Sequence, residues 1–137
     1  MSLDDAHRVL REAPLSDYEA YGYGRLACIE KASGTLIGFC GLKYLEEMEE
    51  VDLGYRFLPD YWGKGYASES SQAVMAYGRE SLGLEQIIGL VHPENIASAR
   101  VLTKVGMRFR RQITLPDFAD EVDLYVWRRL ARSAAFP

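Results

Sequence analysis

At the centre of the chain stands the run Tyr61-Trp62-Gly63-Lys64-Gly65-Tyr66-Ala67. An apolar segment over 51–58 precedes it and is typical of a strand, and the segment over 68–77 is typical of a helix. Glycines let several backbone N–H groups converge, and a helix N-terminus adds unpaired donors and the positive end of its dipole. Because Lys64 adds a positive charge, this arrangement predicts a phosphate-binding loop.

Two common phosphate-binding patterns do not fit this run. The dinucleotide-binding pattern needs a third glycine, and the P-loop needs Gly-Lys followed by Ser or Thr. Here Gly65 is followed by Tyr66. A flavin or nucleotide domain built on the turn at 63–65 therefore lacks its motif.

The run resembles a third pattern, the acetyl-CoA-binding signature Gln/Arg-x-x-Gly-x-Gly/Ala of the GNAT acyltransferase superfamily. The last three places are Gly65-Tyr66-Ala67, and Trp62 stands where Gln or Arg is expected. Tyr-Trp-Gly-x-Gly-Tyr-Ala is the usual form in ribosomal-protein-alanine-type N-acetyltransferases. A second block resembles the Asn-x-x-Ser helix of the family, namely Asn95-Ile96-Ala97-Ser98 with Val101-Leu102 and Val105-Gly106-Met107.

The resemblance covers about 26–128 and implies a fold. That fold is α/β, with a mixed, mostly antiparallel central sheet flanked by helices and a splayed strand pair at the acyl-CoA site. Members of this branch normally begin with a further strand and helix, so we expect one acyltransferase domain over 1–137 in which these elements are missing. Three explanations stay open: a shortened protein, a truncated reading frame, or a partner that supplies the sheet edge. The missing strand would leave an open sheet edge beside the strand at 25–30, where a homodimer could form.

Composition excludes several other classes. A net charge of −4 argues against nonspecific nucleic-acid binding, and the basic run at 108–111 reads as a solvated strand edge. We find neither a run of eighteen apolar residues nor a charged-then-apolar leader, so we expect no membrane span, no signal peptide and a cytoplasmic location. Cys28 and Cys40 have no metal-ligand neighbours, and no metal is expected.

The two cysteines lie in consecutive strands of a predicted hairpin. With a turn at 32–34, Cys28 would lie opposite Phe39, and Cys40 opposite Ala27. Because side chains alternate between the faces of a sheet, the sulfurs would then point to opposite sides, which argues against a disulfide. We expect both to be core residues.

The remaining patterns predict the order of elements. Helices are expected over 4–12, 67–81 and 96–105, and strands over 25–30, 36–44, 51–58, 86–91, 107–115 and 121–128. A loop or a partly ordered helix is expected over 16–23, a loop over 46–50, and a frayed tail over 131–137.

The resemblance assigns acetyl-CoA binding to the N–H groups of the central loop, contributed by Trp62, Gly63, Lys64, Gly65, Tyr66 and Ala67. It also implies that the pantetheine arm runs along the strand ending at Leu58, where the N–H of Phe57 or Leu58 would polarise the thioester carbonyl. Asn95 is implied as a partner of the pantetheine amides. We expect Trp62 itself to be a packing residue, and the tyrosines at 55, 61 and 66 to form an apolar wall with Phe57.

Acyl transfer also needs a proton acceptor and a proton donor. Asp52 stands where relatives carry a Glu, and by strand alternation it faces away from Val51 and Leu53; a solvated carboxylate at a strand start is the alternative. Glu50 is a second candidate. His92 has the intrinsic pKa of a base, but a bystander role in a turn is the expected one.

The sequence indicates the proton donor less clearly than the proton acceptor. Many relatives use a Tyr four places after the helix Ser, and this chain has Leu102 there. In the branch it resembles, the implied donor is Ser98, whose alternative role is capping the helix. Tyr125 is a further catalytic candidate, with core packing as its alternative.

These patterns together predict an N-acetyltransferase that moves an acetyl group from acetyl-CoA to a primary amine. A protein N-terminus is the first choice of acceptor, and a small amine such as an aminoglycoside or polyamine is the second. The alternative is an acyl-CoA-binding module of this fold with little or no turnover.

Overall fold

The computed structural model describes residues 20–115 and 120–130 of the chain. The helix predicted over 4–12, residues 16–19 of the segment predicted over 16–23 and the tail over 131–137 lie outside these ranges.

The described residues form six strands, two α-helices and one short 3-10 helix. In chain order they are β1 (Arg25–Glu30), β2 (Thr35–Leu45), β3 (Glu50–Phe57), the 3-10 helix (Pro59–Tyr61), α1 (Tyr66–Glu80), β4 (Gln86–Val91), α2 (Ile96–Lys104), β5 (Arg108–Ile113) and β6 (Val122–Arg128). The strands make one sheet in the order β1-β2-β3-β4-β6-β5. Only the pair of β3 with β4 is parallel. This is the mixed, mostly antiparallel sheet flanked by helices that the resemblance implies, and the predicted fold class is confirmed.

The predicted elements agree closely with the observed ones. The bounds of β1 and β4 are those predicted, and the other described strands and the two α-helices differ from prediction by one or two residues at one or both ends. The 3-10 helix was not predicted. The acidic run over 46–50 is a turn only as far as Glu49. Glu50 opens β3, and its carboxylate accepts a hydrogen bond of 2.7 Å from the Gln86 side chain.

The core lies between the sheet and α1. Val51 and Leu53 alternate along β3 and belong to one buried cluster with Met75 of α1 and Ile87 of β4. Met75 and Ile87 are fully buried, and burial of an apolar side chain of this size contributes roughly 1.5–3 kcal/mol to stability. Since side chains alternate along a strand, Asp52 points to the face opposite this core.

The predicted placement of the cysteines is wrong. Cys28 pairs with Gly38, and Cys40 with Leu26, so both thiols lie on the same face of the hairpin. A bulge between Cys28 and Ile29 fixes this register, which differs by one residue from the predicted one. Both cysteines are free; Cys40 is buried in the core and Cys28 packs against it, so their expected role as core residues is confirmed.

Among the described strands, β1 and β5 are the outer ones. Leu26 and Ile29 of β1 are about half exposed. The expected pairing of a second copy along β1 stays a prediction. No helix in the described part of the chain is long and apolar enough to cross a membrane.

Candidate functional site

The loop before α1 depends on two glycines in the left-handed region. Gly63 has φ 71° and Gly65 has φ 83°. A Cβ built on either residue would meet no atom within 4 Å, so backbone conformation rather than lack of space requires glycine there. Residues 62–65 are all exposed, as a loop that receives a ligand must be.

The N-terminus of α1 presents free donors. The first helical hydrogen bond runs from the Glu69 N–H to the Gly65 carbonyl, at 3.0 Å, and Gly65 offers no side chain to cap the helix. Within the described ranges, the N–H groups of Tyr66, Ala67 and Ser68 therefore have no acceptor. Free N–H groups together with the helix dipole form a site for an anion such as a diphosphate.

Trp62 differs from its predicted roles. Its backbone N–H donates to the Pro59 carbonyl at 3.1 Å, so this N–H is not available to the loop. Its side chain is 67% exposed, which is not the packing position that we expected. Instead the indole N–H donates to the Phe57 carbonyl at 2.8 Å and ties the loop to the end of β3.

Glu30, at the end of β1, anchors the loop from the other side. The Tyr66 hydroxyl donates to the Glu30 carboxylate, and the Ser33 hydroxyl donates to it at 2.7 Å. These hydrogen bonds lower the pKa of Glu30, with Tyr66 as the larger cause. The Lys64 ammonium lies over the Tyr61 ring, 5.3 Å from its centroid. Tyr66 is therefore a polar anchor rather than part of an apolar wall.

Strands β3 and β4 part beside the site. One bridge joins them in the described structure, between Asp52 and Ile88, although β3 continues five residues further. The Leu58 N–H donates to the Ile37 carbonyl at 2.9 Å, so its predicted role as a thioester donor is wrong. Because successive N–H groups of a strand point to opposite sides, the Phe57 N–H points toward the gap and stays a candidate.

A cavity of about 570 Å³ lies where the strands part. It brings together three residues that bear on the chemistry, Asp52 and Tyr55 of β3 and Ser98 of α2. Arg25, Lys43, Glu47 and Arg56 contribute charge to its lining, and Leu53, Leu90 and Leu102 contribute apolar surface.

Asp52 is a buried carboxylate, not the solvated one of the alternative interpretation. It is 6% exposed, and its Oδ2 lies 3.2 Å from an Arg25 guanidinium nitrogen. Lys43 lies directly across from it on β2. Burial raises the pKa of Asp52 to about 7, although Arg25 opposes this rise. A carboxylate with a pKa near neutrality is suited to accept a proton at physiological pH.

Gly54 makes room for Arg25. A Cβ at position 54 would lie 2.3 Å from an Arg25 guanidinium nitrogen and 2.8 Å from the Arg25 Cζ. The glycine therefore lets the side chain cross from β1 to Asp52 on β3. Sequence reasoning missed Arg25, and the glycine inside an otherwise strong strand pattern was the available signal.

Tyr55 and Ser98 form the second reactive pair. Their hydroxyl oxygens lie 2.8 Å apart, joining β3 to α2 across the gap. Burial raises the pKa of the Tyr55 hydroxyl, so it stays protonated, and the bond to Ser98 opposes that rise in part. Ser98 does not cap the helix with its side chain, because the Asn95 carboxamide accepts from the Ser98 N–H at 3.1 Å. Sequence reasoning placed Tyr55 in an apolar wall and missed this contact.

The other candidates lie apart from the cavity. Asn95 is exposed and caps α2, and its part in binding pantetheine stays a prediction. Tyr125 packs partly buried against the core cluster, its ring centroid 5.8 Å from that of Phe109, and it does not line the cavity that holds Asp52. Glu50 is held by Gln86, and His92 lies beyond β4 outside the lining.

No three His, Cys, Asp or Glu side chains approach one another closely enough to hold a metal ion in the ranges that the structure describes. The polar groups at the gap between β3 and β4 include hydroxyls, the Asp52 carboxylate and backbone amides, with the cations Arg25, Lys43 and Arg56 in the same lining. Such groups suit an organic acyl donor with a diphosphate and amides.

Comparisons with known proteins agree with this geometry. The family model described as Acetyltransferase (GNAT) domain matches residues 1–108. The uncharacterized N-acetyltransferase p20 of Bacillus licheniformis is 33% identical over 116 residues, covering 81% of this chain and 64% of that protein. Protein YkkB of Bacillus subtilis is 32% identical over 97 residues, covering 69% and 56%. The chain thus spans less than two thirds of the length of either of these two curated relatives.

A solved structure shows the same likeness. The GNAT-family acetyltransferase of Bacillus anthracis superposes with a TM-score of 0.67 at 32% identity, covering 78% of this chain and 67% of that one. The match of the family model extends over most of the chain and includes the glycine loop, β3 and α2. On these grounds the chain belongs to the GNAT acetyltransferase family.

Proposed function

We propose that this chain is an N-acetyltransferase that moves an acetyl group from acetyl-CoA to a primary amine. The observation that carries the proposal is that one cavity, beside the gap between β3 and β4, is lined by both the buried carboxylate Asp52 and the hydroxyl pair Tyr55–Ser98. A proton acceptor and a proton donor on one cavity are what acyl transfer to an amine requires.

The loop and the gap fit acetyl-CoA as the cosubstrate, which supplies an acetyl group activated as a thioester. The free N–H groups at the start of α1, together with Gly63, Lys64 and Gly65, would hold the diphosphate. The Phe57 N–H, which faces the gap, would orient the carbonyl. These roles remain proposals for each residue.

Asp52 is the proposed proton acceptor. Its raised pKa lets it take a proton from an ammonium group near neutral pH, and Arg25 keeps enough of it ionised to do so. Tyr55 with Ser98 is the proposed proton donor to the departing thiolate, because the pair is protonated and hydrogen-bonded inside the same cavity.

The acceptor is a primary amine. The resemblance to ribosomal-protein-alanine-type enzymes favours a protein N-terminus, and a small amine is the second choice. The names of p20 and of the Bacillus anthracis structure support acetyl transfer but specify no acceptor.

The experiment is a thiol-release assay with acetyl-CoA and a panel of primary amines. We expect CoA release that depends on both substrates and is strongly slowed in the variant Ser98→Ala. If acetyl-CoA stabilises the protein but no amine raises thiol release above hydrolysis, the chain is an acyl-CoA-binding module instead.

A further inference from the structure

We propose that the acceptor carries a carboxylate within a few bonds of its amine, and that Arg25 and Lys43 bind this carboxylate beside Asp52. This inference rests on the proposed function, since it concerns the second substrate of the same cavity. It narrows the acceptor to zwitterionic amines.

The first observation is the charge of the cavity. Three cations line it, Arg25, Lys43 and Arg56, against the two carboxylates Glu47 and Asp52. Asp52 is already paired with Arg25. Lys43 and Arg56 have no ion pair in the described structure. The lining as a whole therefore carries one more cation than carboxylates, and the carboxylate beside Arg25 is already neutralised by its ion pair.

The second observation is an unused donor. The Arg25 Nε is buried and has no hydrogen-bond partner, while a terminal nitrogen of the same guanidinium bonds Asp52 at 3.2 Å. A buried donor without a partner destabilises the folded state, and a carboxylate bound to it would remove that cost. Guanidinium groups match carboxylates in geometry as well as in charge.

The third observation is position. Lys43 lies opposite Asp52 in the register of β2 and β3, so Arg25 and Lys43 flank the proposed proton acceptor. Arg56 is four residues along the strand, roughly 13 Å away, and lies too far to share a small substrate with Asp52. An amine at Asp52 thus places a carboxylate a few bonds away between two cations.

The same charges disfavour a polyamine. The several ammonium groups of a polyamine would approach the cations Arg25, Lys43 and Arg56. Only one carboxylate of the described lining, Glu47, is not already in an ion pair and could compensate them. Like charges brought together in a cavity are repelled, which excludes wrong substrates.

The test is calorimetric binding to the protein saturated with CoA. The ligands are alanine and phenylalanine, each against its carboxamide, with spermidine as a polycation. Two capped peptides, Glu-Ala-Ala amide and Gln-Ala-Ala amide, distinguish a side-chain carboxylate at a peptide N-terminus from a free α-carboxylate. We expect the carboxylate member of at least one pair to bind about tenfold or more tightly than its amide.

The matched variants are Lys43→Gln and Lys31→Gln, the latter in the exposed turn after β1. Lys43→Gln should abolish the carboxylate preference and leave the thermal shift by acetyl-CoA intact, and Lys31→Gln should change neither. Amides or spermidine binding as tightly as the carboxylates, or no carboxylate binding at all, would overturn the inference. Zwitterion binding without thiol release would overturn the proposed catalysis and leave the acceptor class standing.

Discussion

Asp52 lies on a strand whose other face builds the core, so the fold removes its carboxylate from water on the face opposite the core cluster. Desolvation favours the neutral acid, and Arg25 limits that effect. The result is a carboxyl group that changes charge near neutral pH.

From this we predict the pH dependence of thiol release. The deprotonated carboxylate accepts the proton, so the rate should rise as pH increases through about 7 and level off above it. Asp52→Asn should lose this dependence and fall by on the order of 100-fold. The control is Glu80→Gln, at the exposed end of α1, which should keep the wild-type profile. If Asp52→Asn leaves the rate–pH curve unchanged, another residue is the proton acceptor.

Gly54 offers an independent way to change Asp52. In Gly54→Ala the new Cβ would contact the Arg25 guanidinium, the flexible end of a long side chain, which should move aside with little effect on Tm. Asp52 would then lose the cation that lowers its pKa, so the midpoint of the rate–pH curve should move to higher pH. Arg25→Gln should shift it in the same direction. If the midpoint of the rate–pH curve stays the same in both variants, Asp52 is not the group that sets it.

The pair Tyr55–Ser98 gives a third prediction at this scale. If the pair supplies the proton to the leaving thiolate, Tyr55→Phe should lower kcat by about tenfold or more, with KM for acetyl-CoA nearly unchanged. The double variant Tyr55→Phe with Ser98→Ala should be little worse than either alone, because the two hydroxyls act as a unit. Tyr77→Phe, on the exposed face of α1, is the control. Simply additive losses would show that the hydroxyls act separately.

Sequence reasoning was least successful for the contacts of single residues. Asp52 was predicted from alternation and resemblance, but its partner Arg25 is 27 residues distant, and no local pattern links them. Tyr55 and Ser98 are 43 residues apart and meet only because α2 packs across the gap. The cysteines were misplaced because a single bulge shifts the register by one residue and thereby exchanges the faces.

Elements were predicted far better, since their signals are local. β4 is a continuous apolar run, and α2 starts at an Asn cap and ends before Gly106. The separation of β3 from β4 was implied by the resemblance alone. The sequence of neither strand indicates where the hydrogen bonds between them stop.

A prediction at this scale concerns the glycine loop between β3 and α1 and its proposed binding of the acetyl-CoA diphosphate. Gly65→Val places a β-branched residue at φ 83°, a conformation that such residues rarely adopt, and should move the N–H groups out of alignment. We predict loss of the thermal shift by acetyl-CoA. The matched control is Gly83→Val. Gly83 also has a positive φ, 63°, with no atom within 4 Å of an added Cβ, but it lies beyond the C-terminal end of α1.

Gly83→Val should lower Tm by a similar amount and keep the acetyl-CoA shift. A shift that survives in Gly65→Val would contradict the assignment of the diphosphate to this loop.

In the whole molecule, β3 connects the two halves of the site. It carries Asp52 and Tyr55 into the cavity, and its end leads through the 3-10 helix to the glycine loop and α1. Its central place in the sheet, between β2 and β4, fixes the cavity and the loop relative to each other. One ligand long enough to reach from the start of α1 to the cavity would therefore contact both.

The most direct test is isothermal titration of the whole chain with acetyl-CoA, accompanied by thermal unfolding. We predict one binding site per chain, competed by CoA. At a hundredfold excess over Kd, binding should stabilise the fold by about 2.7 kcal/mol and raise Tm by roughly 10 °C. No heat of binding and no change in Tm at millimolar acetyl-CoA would contradict the account.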